Sequence, residues 1–116
     1  MVDATTQFFA ALGSRGHEPL LENARGTLLV ELANGAEIER WLVSIDKGDV
    51  EVSNGNGEAD CTVRARREIF DGLARGEVNA MAALLRGAVL VEGDSELLVL
   101  FQRLFPSPNA VASAKG

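Results

Sequence analysis

Few residues in this chain could do chemistry. There is one histidine, His17, one cysteine, Cys61, and no tyrosine. Covalent catalysis needs a nucleophile, a base within hydrogen-bond reach and a third group to orient the base. His17 falls in Gly13-Ser14-Arg15-Gly16-His17-Glu18-Pro19, a loop-forming stretch, and reads as a loop-fixing or solvent-facing residue rather than a general base. Cys61 alternates with Val63 and Ala65 and reads as a small buried hydrophobe. A lone cysteine closes no internal disulfide and fits a reducing compartment. A zinc site would need three or four His or Cys ligands at set spacing, and Gly55-Asn56-Gly57 lacks the Lys-Ser/Thr of a phosphate loop. The expectation is therefore no catalytic residue, no metal and no cofactor. The one basic cluster is Arg64, Arg66 and Arg67, with Arg75 and Arg86 following on predicted short helices. It reads either as a solvated strand edge or as a mouth that receives an anionic group.

The elements that hold these residues form one domain, since 116 residues suffice for a single core. The apolar share of 47% and charged share of 24% are those of a globular chain. A net charge of −6 argues against nucleic-acid binding, which depends on clustered lysine and arginine. No apolar run approaches the roughly 20 residues of a spanning helix, and Met1-Val2-Asp3-Ala4 lacks a secretory pattern, so stable membrane insertion is not expected.

Asp3 caps a helix predicted to run to Leu12 and end at Gly13. From Thr27 the period becomes two, with Leu28, Val30 and Leu32 on one face, a turn at Asn34-Gly35, and a second strand over Glu37 to Asp46 that points Trp41, Val43 and Ile45 inward. Lys47-Gly48-Asp49 turns into a third strand, Val50 to Ser53, and Cys61, Val63 and Ala65 mark a fourth. Helical spacing returns with Ile69, Phe70 and Leu73, then with Met81, Leu84 and Leu85 behind the cap Asn79. Ala88 to Glu92 is a fifth strand. Gly93-Asp94 opens a last helix in which Leu97, Leu100, Phe101, Leu104 and Phe105 form one stripe, with Leu98 and Val99 outside it. Residues 106–116 read as a flexible tail, leaving 1–105 as the domain.

This order of elements, together with Gly16-His17-Glu18-Pro19-Leu20-Leu21, the run from Gly76 through Asn79 and Met81 to Gly87, and Gly93-Asp94 before a helix ending Gln102-Arg103-Leu104-Phe105-Pro106, resembles the sterol carrier protein 2 family over Asp3 to Phe105. The free-standing, acidic form is similar to its bacterial members. The resemblance implies an α+β fold: a twisted, mostly antiparallel five-stranded sheet covered by helices, with an apolar tunnel between them for acyl chains, acyl-CoA or sterol. It implies non-catalytic binding or transfer of a fatty acid, acyl-CoA or other lipid, sterol being the less fitting ligand. The expected lining is Trp41, Val43, Phe70, Leu73, Met81, Leu84, Leu85, Leu97, Leu100, Phe101 and Leu104, and Arg64 and Arg66 are the head-group candidates. Members carrying a peroxisomal tripeptide end in Ser-Lys-Leu, whereas this sequence ends Ala114-Lys115-Gly116, so the cytoplasm is expected. The rival reading is an interaction module or homodimer whose surface is the apolar last helix around Leu98 and Val99.

Overall fold

A computed structural model describes residues 3–105; the tail expected over 106–116 lies outside the described residues. The Asp3 carboxylate accepts the Thr6 N–H at 2.8 Å and starts α1, Ala4–Arg15. Gly13 does not stop this helix. It gives the helix a close approach to the sheet, since a Cβ there would stand 3.4 Å from Val52 Cβ, and Gly16, at φ +69°, ends the helix instead. A short 3₁₀ turn, Pro19–Leu21, then buries Leu21 in the core.

Five strands follow the alternation in the sequence: β1 Arg25–Asn34, β2 Glu37–Asp46, β3 Asp49–Asn54, β4 Cys61–Arg66 and β5 Val89–Gly93. Their order is β3-β2-β1-β4-β5, with β1 and β4 parallel and every other pair antiparallel. The β1–β2 turn centres on Gly35 and Ala36, one residue later than Asn34-Gly35, because Asn34 still pairs with Glu37. Register puts Val30 opposite both Trp41 and Val63, and Leu28 opposite both Val43 and Cys61. One face is thereby apolar except toward its edge, where Glu39 stands opposite Leu32 and Asn54 opposite Trp41, and it is covered by α1, α2 (Arg67–Arg75), α3 (Ala80–Leu85), α4 (Ser95–Phe101) and a closing 3₁₀ turn, Gln102–Leu104. The same register sets Glu31 opposite Arg40 and Arg64 on the outer face, where residues 55–60 cross from β3 to β4 with Gly57 against Leu42.

The space beneath the inner face is occupied by rings. Phe9 of α1 lies between Trp41 of β2 (centroids 4.5 Å apart, planes at 13°) and Phe70 of α2 (5.3 Å, 11°). Phe8 stacks on Phe105 at 4.9 Å, and Phe101 meets both Phe8 and Phe105 edge-on. Phe9, Phe70 and Phe101 are fully buried, each removal of such a ring costing about 3 to 5 kcal/mol.

The β5–α4 junction explains why Gly93-Asp94 stands where it does. Gly93 has φ +94°, and a Cβ on it would lie 2.3 Å from the Asp60 carbonyl oxygen that accepts the Asp94 N–H at 2.8 Å. Asp94 then caps α4 by accepting the Glu96 N–H at 3.0 Å. Gly93→Ala should lower stability by about 2 kcal/mol or more, from strain and collision together, which urea unfolding would measure as a lower midpoint at unchanged slope.

Candidate functional site

Between the sheet and α2, α3 and α4 lies an apolar nook. Val30, Val63 and Val89 form its sheet side, Phe70 and Leu73 its α2 side, and Ala80, Met81 and Leu84 its α3 side; Leu98, Phe101, Gln102 and Phe105 close it. Its free space is about 20 Å³, little above the roughly 10 to 15 Å³ that one water needs. Ligand pockets run to about 300 to 1,000 Å³, so side chains fill this one nearly completely.

Of the expected lining residues, Phe70, Leu73, Met81, Leu84 and Phe101 border the nook. Trp41, Val43, Leu97, Leu100 and Leu104 stand back from it: Trp41 is taken up by Phe9, Val43 is buried in the sheet, and Leu97 packs at Gly26, where a Cβ would meet its Cδ1 at 2.7 Å. Leu100 and Leu104 are half-buried at the core's margin. Leu85 is 84% exposed and does not border the nook; α3 is six residues long and buries only Ala83 fully. Leu98, expected outside, is buried and helps close the nook, which leaves Val99 as the exposed residue of that pair. Sequence reasoning also missed Val30, Val63, Val89 and Phe105 as walls. The strand alternation gave the signal for Val30 and Val63, which share the inward face with Val43, whereas the continuous apolar run of the fifth strand did not single out Val89.

Arg64 and Arg66 do not stand at this nook. Both line an open groove of about 580 Å³ on the sheet's outer face, together with Arg40 and Arg86. Arg64 is held at 2.7 Å by both Glu31 and Glu92, and Arg40 reaches Glu31 at 2.9 Å. These hydrogen bonds, Arg64's first and Arg40's second, lower the Glu31 pKa. Arg75 pairs with Glu77 and does not join the groove. Arg67, grouped with them in sequence, turns to the helices instead. It binds Asp3, reaches Glu39 at 2.8 Å and lies 3.8 Å from Asp71. Glu39 accepts the Trp41 indole N–H at 2.5 Å, and Asp71 accepts the Thr5 hydroxyl and N–H. The Asp3 carboxyl, hydrogen-bonded first by Arg67 and then by the Thr6 N–H, is pushed down to about 2.

His17 has a partner the sequence did not reveal. Its Nδ1 lies 2.9 Å from Asp49 Oδ1, while Nε2 faces Glu22 at 4.0 Å. The second ring nitrogen thus meets a carboxylate and not a nucleophile, so the pair fastens the loop after α1 to the start of β3, where His17 and Asp49 also form a backbone bridge. Cys61 is fully buried in β4, and burial, followed by the nearby Asp94 charge, raises its pKa. Neither lines the nook.

Residues 6–106 match the SCP-2 sterol transfer family. Among solved structures, the chain is similar to "Sterol Carrier Protein 2 from Yarrowia Lipolytica (apo form)", with 22% identity, TM-score 0.71, and coverage of 90% of this chain and 92% of that one. It is also similar to the palmitated SCP2L2 of Aedes aegypti, with 18% identity, TM-score 0.69, and coverage of 87% and 89%. Among curated proteins it is 24% identical over 88 residues to the peroxisomal multifunctional enzyme A of Dictyostelium discoideum, a match covering 74% of this chain and 20% of the enzyme. The structural likenesses establish the fold. No helix among the described residues is long and apolar enough to cross a membrane.

Two outcomes follow from this electrostatic arrangement. A carboxyl whose folded pKa is depressed contributes stability that is present above its ordinary value of 3.8 and lost as pH falls toward about 2. Asp3→Asn keeps a capping side chain but loses the charge facing Arg67, so it should be less stable than the parent near neutral pH, with the difference closing as pH falls through that window in denaturant titrations. The buried Cys61 thiol should resist iodoacetamide in the folded protein and be alkylated only in unfolding concentrations of urea, read by mass spectrometry.

Proposed function

The chain belongs to the SCP-2 sterol transfer family, and on that premise we propose that it binds and transfers an apolar ligand in the space between the sheet and α2, α3 and α4, without catalysing a reaction. The ligand is a fatty acid, acyl-CoA or another lipid, with sterol the less fitting choice. The binding domain is residues 1–105. The observation that carries this reading is the nook itself, whose walls are apolar from all sides with Gln102 as the polar exception, and which adjoins the surface at the partly exposed Met81. The mosquito relative in palmitated form supports a fatty acid as ligand.

With about 20 Å³ free, binding requires walls that yield. The last turn, with Phe101 and Phe105, and the six-residue α3 are the movable ones. An acyl chain that displaces Phe105 exchanges one apolar contact for another, and each methylene buried contributes about 0.8 kcal/mol. Phe70, Leu73, Met81, Leu84 and Phe101 make the inner wall, while Trp41, Val43, Leu97, Leu100 and Leu104 back it. Met81 suits a wall that re-forms around different tails, because a thioether side chain bends readily. The compartment on this reading is the cytoplasm, where an unpaired, buried Cys61 stays reduced.

Titration with the fluorescent fatty acid cis-parinaric acid should give saturable binding by the parent. Met81→Trp, which crowds the entrance, should weaken binding by about ten-fold or more, the equivalent of an overpacking cost of about 1.4 kcal/mol. Leu85→Trp, at an exposed position that does not border the nook, should bind like the parent. No binding by the parent, or equal loss in both variants, would refute the proposed site.

A further inference from the structure

The outer face of the sheet is covered only in part. Residues 55–60 lie across it at Leu42, where a Cβ on Gly57 would stand 3.0 Å from Leu42 Cδ2, and none of them borders the open groove. The groove is built from two rows that run across the strands. Register sets Ile38, Ala33 and Arg66 side by side on β2, β1 and β4, and sets Arg40, Glu31, Arg64 and Leu90 side by side on β2, β1, β4 and β5. Positions two apart in a strand share a face, so both rows point outward.

The second row is balanced within itself. Glu31 holds Arg40 at 2.9 Å and Arg64 at 2.7 Å, and Glu92 also takes Arg64 at 2.7 Å. The positive charge left over gathers at the first row. Arg66 meets only Glu68, at 3.4 Å with side chains 76% and 73% exposed, an ion pair that contributes little. Arg86, exposed and lining the groove, has no acidic partner among the described residues. A protein of net charge −6 thus holds two available guanidinium groups in an apolar setting. Ile38 and Leu90, 48% and 58% exposed, stand three strand spacings apart, about 14 Å. Between them Ala33 is small, and Arg40 and Arg64 are tied to Glu31.

We propose that this groove docks an acidic amphipathic helix of a partner protein. Its width suits a helix, whose diameter with side chains is about 10 to 12 Å. β2, β1 and β4 each have both edges paired, so an occupant lying over them bonds through side chains and not by adding a strand. An amphipathic helix presents such side chains at i, i+3, i+4 and i+7. Leucines of that stripe rest on Ala33, Ile38 and Leu90, and flanking glutamates take Arg66 and Arg86 in charge-assisted hydrogen bonds. The acidic remainder of the surface repels such a helix and leaves this groove as its favourable approach. A nucleic acid would use the arginines but not the exposed isoleucine and leucine. The site goes beyond the carrier reading and does not depend on it, since the groove and the nook share no lining residue.

Fluorescence polarisation tests it with a labelled synthetic helix of about eighteen residues that carries leucines along one stripe and glutamates beside it. The parent should bind this peptide saturably, with a Kd below about 100 μM, and should bind the same peptide with lysine in place of glutamate at least about ten-fold less tightly. Arg66→Gln/Arg86→Gln should lose about ten-fold and Ile38→Ser, at an exposed position, about five-fold, whereas Arg25→Gln/Arg75→Gln, with the same change of net charge outside the groove, should stay within about two-fold of the parent. Met81→Trp, which crowds the nook and leaves the groove alone, should bind the helix like the parent. No saturable binding of the glutamate helix, equal binding of the lysine helix, equal losses in the two double variants, an unaffected Ile38→Ser or a loss in Met81→Trp would each overturn the assignment. So would a dependence on Arg66 and Arg86 that appears with anionic vesicles or an oligonucleotide and not with the helix. Failure here leaves the cis-parinaric acid titration of the parent intact, and failure of that titration leaves helix binding intact, so the two readings stand or fall separately.

Discussion

The fold depends on one aromatic stack. Phe9 is held flat between Trp41 and Phe70, so a single ring from α1 joins the sheet's second strand to the helix that follows its fourth. The remaining aromatic rings, Phe8, Phe101 and Phe105, extend the stack to the end of the last helix. All of the chain's aromatic residues, five phenylalanines and one tryptophan, therefore lie in one contiguous body. For a domain of this size, whose surface-to-volume ratio limits what a core can supply, concentrating the largest side chains at the meeting point of three elements is an efficient way to fix their arrangement.

The stack also explains why so little room remains beneath the sheet. Rings that bury themselves against one another occupy the volume that surplus apolar helix faces would otherwise enclose. In the sequence, the stripes at Phe70, Met81 and Leu97 to Phe105 compete for one side of a sheet, and such an excess fits equally well an open cavity or a filled one. The structure gives the filled form, closed by Leu98 and Phe105.

What was legible in the sequence was whatever a local period encodes. Alternation over Leu28 to Leu32 and Trp41 to Ile45 named the inward residues correctly, and the capping residues Asp3, Asn79 and Asp94 each hold the N–H that their position implies. The orientation of the short helices was not legible. In α3, six residues long, Met81 and Leu85 fall on the same side, but whether that side faces in or out is set by how the helix is tethered at Asn79 and Gly87. Long-range pairings were hidden too. Nothing local shows that Arg67 turns inward to Asp3 and Glu39 while Arg66 and Arg64 face the other way, or that His17 finds Asp49 across 32 positions.

The elements in and around the nook differ in the kind of force that holds them. α1 and α2 are fixed by directional bonds: Asp71 to Thr5, and Arg67 to Asp3 and to Glu39, the carboxylate that also takes the Trp41 indole N–H. Separating them would strand the Arg67 and Asp71 charges, whose side chains are only 15% and 18% exposed, and so carries a penalty that parting two apolar groups does not. The turn after α4 has no such tie at its rings; Phe101 and Phe105 are held by contact with other apolar groups. Contact of that kind is non-directional and can be replaced by an acyl chain at small net cost, since both partners offer the same dispersion and the same exclusion of water. On the carrier reading, the division between a pinned half and an exchangeable half is what lets a core with almost no free volume admit a ligand without losing its frame.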